Sequence, residues 1–348
     1  LAELAQRWKG ELTVVQVLSQ AEDDAEWGGA RGLVTEFIQA HLPSGAHAYL
    51  CGPPGMVDAA QECVRALGVP LAHIHADRFA TLADASPQAH RPVAGVWDYA
   101  KYSLFHVLGL LVVISLLAGG AGMTIGLVGI VTAYVLGDAF GGDDTSTPRH
   151  RYPQVLTGLL WAALPLMALI AFTSVWTVCT TDPLGFGAGV AALTGYDVLA
   201  ARAATSMGHH LSGLLLSILA NGLVSLIAGH ELVHRTWDRV SVRIGRLLYA
   251  FAFDANFSIE HVYGHHRYAA TLQDPATAPR GRSVYAHILI STLRGNQSSW
   301  TIEKERLRRR RQPLLSWHNV VLRGHMLNLA MLGMAWAMGG GVAAAYFL

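Results

Sequence analysis

The chain has 348 residues, of which 52% are hydrophobic and 14% charged, with a formal net charge of +1. Soluble domains carry roughly a quarter charged residues, so this composition leans towards a membrane protein. A charge near zero gives no footing for nucleic-acid binding, and the scattered Cys51, Cys63 and Cys179 form no C-x-x-C pair, so neither a disulfide framework nor an iron–sulfur or zinc-thiolate site follows from them.

Residues 1–98 carry charge at soluble density, whereas long apolar stretches follow Leu104. Residues 12–18, L-T-V-V-Q-V-L, read as a buried strand. The pattern from Gly32 to His41 suits an amphipathic helix closed by Pro43. A second strand, H47-A-Y-L-C51, runs into G-P-P-G, and 56–67 is helical with Gly68 as its stop. A short strand around Ile74 ends at D77-R-F79. This alternation is that of the later half of a doubly wound α/β domain. Residues 80–98, rich in Ala, Pro and Ser, read as a linker. The chain opens mid-pattern without Met and stops inside an apolar run at Leu348, so both ends read as cut.

Apolar stretches occupy 104–119, 122–137, 155–178, 211–229 and 326–338, and another begins at Val342. A spanning helix needs about 20 apolar residues, so the first two, parted by Gly119-Gly120, suit a hairpin. The stretch 184–204, with Asp197 and Arg202, fits neither a span nor a loop cleanly. Cations gather at 149–151, 235–246 and 303–311, which puts those segments on one side of the membrane. The run R306-L-R-R-R-R311 reads as a membrane-flanking segment rather than a nucleic-acid patch.

Two histidine clusters stand out. H230-E-L-V-H234 closes the 211–229 stretch, with i, i+4 spacing that places both rings on one helical face. In E260-H-V-Y-G-H-H266, His261 and His265 repeat that spacing and His266 lies about 100° further round. Lone histidines such as His106, His209, His210, His287, His318 and His325 read as packing residues; five in two helical clusters read as a metal site. H-E-x-x-H alone is compatible with zinc and Glu231 as general base, as in a membrane peptidase with Glu260 as third ligand. One catalytic zinc takes three protein ligands, however, and five imidazoles exceed that number, which argues for two metals. Ligand type alone does not choose among iron, copper and zinc.

The element C51-G-P-P-G-M56, after a strand and opening a helix, resembles the ferredoxin–NADP reductase-like family over residues 1–79. That resemblance implies NAD(P)H binding at Cys51, Gly52 and Pro53, with Met56 as supporting packing, and a flavin and a [2Fe–2S] centre on domains upstream of Leu1.

H230-E-L-V-H-R235, E260-H-V-Y-G-H-H266 and D274-P-A-T-A278 together resemble the integral-membrane di-iron hydroxylases, the alkane and xylene monooxygenase type related to fatty-acid desaturases. The resemblance covers 99–348, including G137-D-A-F-G-G-D-D-T-S-T-P148. It implies an all-α membrane fold of six helices, the last truncated here, behind the partial α/β domain. It further implies two irons held by His230, His234, His261, His265 and His266, and NAD(P)H- and O2-dependent hydroxylation of a terminal or benzylic methyl group. Glu231, Glu260 and Asp274 are expected to orient imidazoles. Implied partners are a hydrocarbon substrate, the lipid bilayer and the upstream electron-transfer domains. The implied location is a bacterial inner membrane, reductase domain and histidines facing the cytoplasm. The family's further E-H-Y-G and R-H-S-D-H-H-type elements are absent and are expected beyond Leu348. A lipid desaturase of the same fold and a zinc membrane protease are the alternative readings.

Overall fold

A computed structural model describes residues 12–19, 28–43, 45–78, 92–142, 144 and 148–348, with the backbone alone at Pro54, Asp77 and Arg78. Phe79, residues 80–91 of the expected linker, and Asp143 and 145–147 of the Gly137–Pro148 motif lie outside the described residues. The chain divides into two compact units, Leu1–Arg91 and Pro92–Leu348.

In the first unit the expected helices and the strands at 47–51 and around Ile74 form with shifted ends, whereas the buried strand expected over 12–18 is largely absent, with Val14 and Val15 exposed. Strand β1 is only Val17–Leu18, paired in parallel with β2, Ala30–Arg31, which is too short to leave a periodic signal. Helix α1 is Thr35–His41. Strand β3, Ala48–Gly52, feeds helix α2, Pro54–Ala66, which has proline at its first turn, where no N–H is required. Strand β4, Ile74–Arg78, runs parallel to β3 in the register Cys51↔Asp77. Among the described residues of this unit, Ala48, Val57, Ala60, Val64 and Val69 are the buried apolar side chains. A parallel pair joined through a helix is the α/β unit expected from the alternation.

Among the described residues the second unit is helical, with five helices long and apolar enough to cross a membrane: α3 Val96–Ala118, α4 Gly120–Phe140, α5 Pro153–Trp176, α8 Met207–His234 and α12 Val320–Phe347. Their outer faces stay apolar, with Ile114 61%, Ile125 70% and Val128 57% exposed, as lipid-facing side chains are. The inner faces of α3, α4, α5 and α8 share a core of Val112, Leu116, Met123, Leu166, Ile170, Leu216 and Val224, while α12 packs through Ala335 and Ala343 against Val175 and Cys179. The hairpin turn between α3 and α4 requires glycine. Gly119 sits at φ 63°, and a Cβ there would lie 2.8 Å from the Ala201 carbonyl oxygen. The Gly120 N–H donates to Thr205 Oγ1 at 2.9 Å, which satisfies one free donor at the start of α4.

The ambiguous stretch 184–204 becomes two short helices, α6 Phe186–Thr194 and α7 Val198–Ala203, which close one end of the bundle. Asp182 accepts from Trp176 Nε1 and from the N–H groups of Gly187 and Ala188, capping α6, while Arg202 lies over the Trp176 ring at 4.3 Å. The last two expected apolar stretches are two helical segments of α12, parted at Gly339 and Gly340 by non-helical backbone.

Three further helices at the opposite end of the bundle have polar sequences: α9 Arg239–Ala250, α10 over 257–268, and α11 Val284–Arg309. Asp238 starts α9 by accepting from the Val240 N–H, and Ser283 starts α11 by accepting from that of Ala286. These helices carry or surround the second histidine cluster.

Candidate metal centre

Helix α8 has 28 residues and is about 42 Å long at 1.5 Å per residue. The hydrocarbon core is about 30 Å thick, so the end of α8 that carries His230 and His234 reaches the interface. A π turn over Asn221–Leu226 interrupts α8. Its side chains hold the end of α9: Asn221 Nδ2 donates to the Phe251 carbonyl at 3.1 Å and Ser225 Oγ to that of Leu248 at 2.6 Å. The Phe251 carbonyl, just past the end of α9, has no intrahelical donor, while that of Leu248 also accepts from the Phe251 N–H, so α8 is fixed against the last turn of α9. Glycines permit the approach: a Cβ on Gly245 would meet Val233 Cγ1 at 2.8 Å and the Gly229 carbonyl at 3.0 Å.

Helix α10 brings the second cluster. Phe257–Glu260 forms a helical turn, His261–His265 a π turn, and His266–Tyr268 a last turn. On an ordinary helix His261 and His265 would share a face. The π turn instead aligns residues five apart, and His266 Nε2 comes within 3.1 Å of His261 Nε2. His234 Nε2 lies 3.1 Å from His261 Nε2 and 3.4 Å from His230 Nε2. The ligand nitrogens of His230, His234 and His261 all lie within 4.8 Å of one another, a group that could hold a metal ion. A first-row metal at about 2.1 Å from imidazole nitrogens sets neighbouring ligands roughly 3.0 to 3.4 Å apart, so these spacings suit ligands of one ion. His261 is buried, and burial together with the neighbouring His230, His266, His234 and His265 pushes it down to about 3. It is therefore neutral, the form that binds metal.

His265 stands at the edge of this group, its ring stacked beside that of His261 with centroids 5.4 Å apart. Its Nδ1 meets Asp274 Oδ2 at 3.0 Å, which leaves Nε2 as the ligating nitrogen. Asp274 is 1% exposed. Burial works against its charge, but bonds from Thr277 Oγ1, the Ala276 N–H and His265 hold the carboxyl below its usual range. An Asp274→Asn variant is expected to weaken metal binding by about 10- to 100-fold while the protein stays folded. Metal content per chain alongside the melting temperature checks this; full metal content would deny Asp274 its positioning role.

The two glutamates differ from each other. Glu231 is exposed and accepts from Arg235 Nε and Nη2, while Arg235 Nη1 reaches Thr157. No hydrogen bond joins Glu231 to an imidazole among the described residues. Glu260 is buried beneath Gly264, with Oε1 lacking a partner. Burial, reinforced by the Asp274 charge, pushes its carboxyl up.

Sequence reasoning missed the aromatic support. Phe257 stacks on His261 at 4.6 Å and Tyr249 on Phe257 at 4.4 Å. The available signal was Phe257 four residues before His261, on one helical face. Burial also pushes the nearby Asp254 carboxyl up to about 6, with the Phe257 N–H pulling it back. The folded state thus holds a proton between about pH 4 and pH 6 that the unfolded chain has released. Its stabilising contribution is present below pH 4 and lost as pH rises through 6. Unfolding measured across that window is expected to show this slope, and Asp254→Asn is expected to flatten it.

In the first unit, Cys51 and Gly52 end β3 and Pro53 leads into α2. Met56 folds back over Gly52, where a Cβ would run into its terminal methyl. Cys51 is exposed at the carboxyl end of β3, where α/β sheets bind nucleotides.

Residues 1–62 match the oxidoreductase NAD-binding domain and residues 204–348 the fatty acid desaturase domain. The chain joins an NAD-binding domain to a desaturase-type membrane domain. An alkane 1-monooxygenase of Ectopseudomonas oleovorans is 30% identical over 234 residues, 64% of this chain and 51% of that protein. The electron transfer component of xylene/toluene monooxygenase from Pseudomonas putida is 42% identical over 73 residues, 21% of each chain. The hydroxylase component of that system is 31% identical over 154 residues, 44% of this chain and 41% of that protein. The chain thus spans about half, or less, of the length of the curated relatives it matches.

Proposed function

We propose that the chain is part of a membrane-bound non-haem di-iron monooxygenase fused to its NAD(P)H-dependent reductase, hydroxylating a terminal or benzylic methyl group of a hydrocarbon. The observation that carries this reading is the convergence of imidazole nitrogens from α8 and α10 in a chain that also holds an NAD-binding domain. A peptidase zinc needs no nucleotide, whereas O2 chemistry needs electrons.

His230, His234, His261, His265 and His266 are the proposed iron ligands, together with histidines outside this chain. Bound iron would supply O2 activation and insertion of oxygen into a C–H bond. The protein's own part is to keep His261 neutral, to orient His265 through Asp274 and to shield the ring of His261 with Phe257. A cavity of about 320 Å³ between α5, α9 and α12, lined by Phe172, Leu247, Met331, Met334 and Met338, is almost wholly apolar and supports a hydrophobic substrate. Residues 1–79 are proposed to bind NAD(P)H at Cys51, Gly52 and Pro53, 80–98 to link, and 99–348 to form the oxygenase. A flavin and a [2Fe–2S] centre would complete the electron path from upstream domains. The proposed location is a bacterial inner membrane with both sites on the cytoplasmic side, supported by the cations at 149–151, 235–246 and 303–311.

The test is metal and product analysis of the complete protein. Iron near two per chain and alcohols from octane or p-xylene under NADH are expected. One zinc without iron would end this reading, and alkene alone from an acyl lipid would favour a desaturase.

A further inference from the structure

Beside α10 lies an open groove of about 980 Å³, lined by six arginines: Arg246, Arg267, Arg294, Arg306, Arg309 and Arg310. Two glutamates also line it, and both are taken by arginines: Glu303 by Arg306, and Glu305 by Arg308 and Arg309. Arg246, Arg267, Arg294 and Arg310 have no carboxylate partner among the described residues. Arg246 Nε donates to Ser258 Oγ, Arg294 Nη2 donates to the Leu272 carbonyl, and Arg267 lies over the Tyr268 ring. Four guanidinium groups with unspent donors line one concavity, spread along α11 from Arg294 to Arg310 and joined by Arg246 and Arg267, an arrangement suited to phosphate oxygens.

The position of the groove narrows the ligand. Val320, the first residue of the membrane-crossing helix α12, lines it. The loop leading to Val320 exposes Leu315 at 87% and Trp317 at 71%, apolar and aromatic side chains of the kind that sit at the headgroup level. Further along α12, Leu329 at 67% and Trp336 at 61% continue the apolar surface. A ligand seated here has its anion among arginines and its tail beside a spanning helix.

We propose that this groove binds the phosphate of an anionic phospholipid, with the acyl chains lying along α12. The cations near the interface attract such lipids, at about fivefold in affinity for each arginine. An acidic protein would meet the same charges but would gain nothing from the apolar rim beside Val320.

The complete protein in nanodiscs of mixed phosphatidylcholine and phosphatidylglycerol is the test, with retained lipid read by mass spectrometry. Phosphatidylglycerol is expected to be enriched over phosphatidylcholine. Arg294→Gln with Arg310→Gln is expected to lower that enrichment about twenty-five-fold, with unchanged metal content, and the paired Lys substitutions to keep most of it. Equal retention of both lipids, or an unaffected Gln variant, overturns the proposal. Full displacement by inorganic phosphate would identify a free-anion site instead. Loss of electron uptake from the reductase with lipid retention unchanged would assign the groove to an acidic protein. Should the variant misfold, the wild type serves: its melting temperature is expected to rise with dioctanoyl phosphatidylglycerol and not with dioctanoyl phosphatidylcholine, and equal responses overturn the proposal.

Discussion

Replacing His261 by alanine in the complete protein is expected to remove bound iron and hydroxylation together, by more than about a hundredfold in activity. Two features make this histidine the most sensitive of the five. Its Nε2 is the shared neighbour of His234 Nε2 and His266 Nε2, each at 3.1 Å, so its loss opens both sides of the group. It is also the buried one, stacked on Phe257 and held neutral, so no other imidazole can swing into its place. Iron content by mass spectrometry and alcohol yield under NADH are the measurements. His209→Ala is the control, because His209 meets Thr124 Oγ1 within the bundle and is expected to leave iron in place. Full iron content in His261→Ala would take this residue out of the centre.

The second large effect concerns stability. Glu303 is 1% exposed, yet it is ionised: burial opposes its charge, but bonds from Arg306 and the Val320 N–H hold the carboxyl below its usual range. Arg306 Nε and Nη2 donate at 2.6 and 2.7 Å, and the Val320 N–H at 2.6 Å. The carboxylate therefore ties α11 to the first turn of α12, where the helix dipole favours negative charge. Glu303→Ala is expected to cost about 3 kcal/mol, because it leaves Arg306 with only the His318 carbonyl and frees a helix-end donor. Glu303→Gln keeps the shape and one acceptor and is expected to recover part of that loss. Thermal unfolding in detergent measures both, and a melting temperature equal to wild type in Glu303→Ala would refute the role.

Much of the fold was legible in the sequence because hydrophobic length and turn residues report it directly. The strand–Gly-Pro-Pro–helix element and the apolar stretches after Leu104 correspond to β3 with α2 and to the five long helices. Helices α9 and α11 were not expected. Their sequences are rich in arginine, and an apolar-stretch reading passes over polar helices whose packing faces are narrow, as with Ser299, Glu303 and Leu307 on α11. Glu231 and Glu260 were not separable either: each flanks a histidine in the sequence, but one is exposed on Arg235 and the other is buried without a partner for Oε1. Such differences depend on tertiary neighbours, which spacing does not carry.

The π turn at His261–His265 has a consequence for how ligand strings are compared between proteins. Spacing in a sequence counts residues, whereas a metal counts directions. The string H-V-Y-G-H-H offers its first and fifth residues to one side on an ideal helix, but its first and sixth on the widened turn found here. Two chains with identical histidine spacing can therefore present different pairs of nitrogens, and one backbone hydrogen bond decides which.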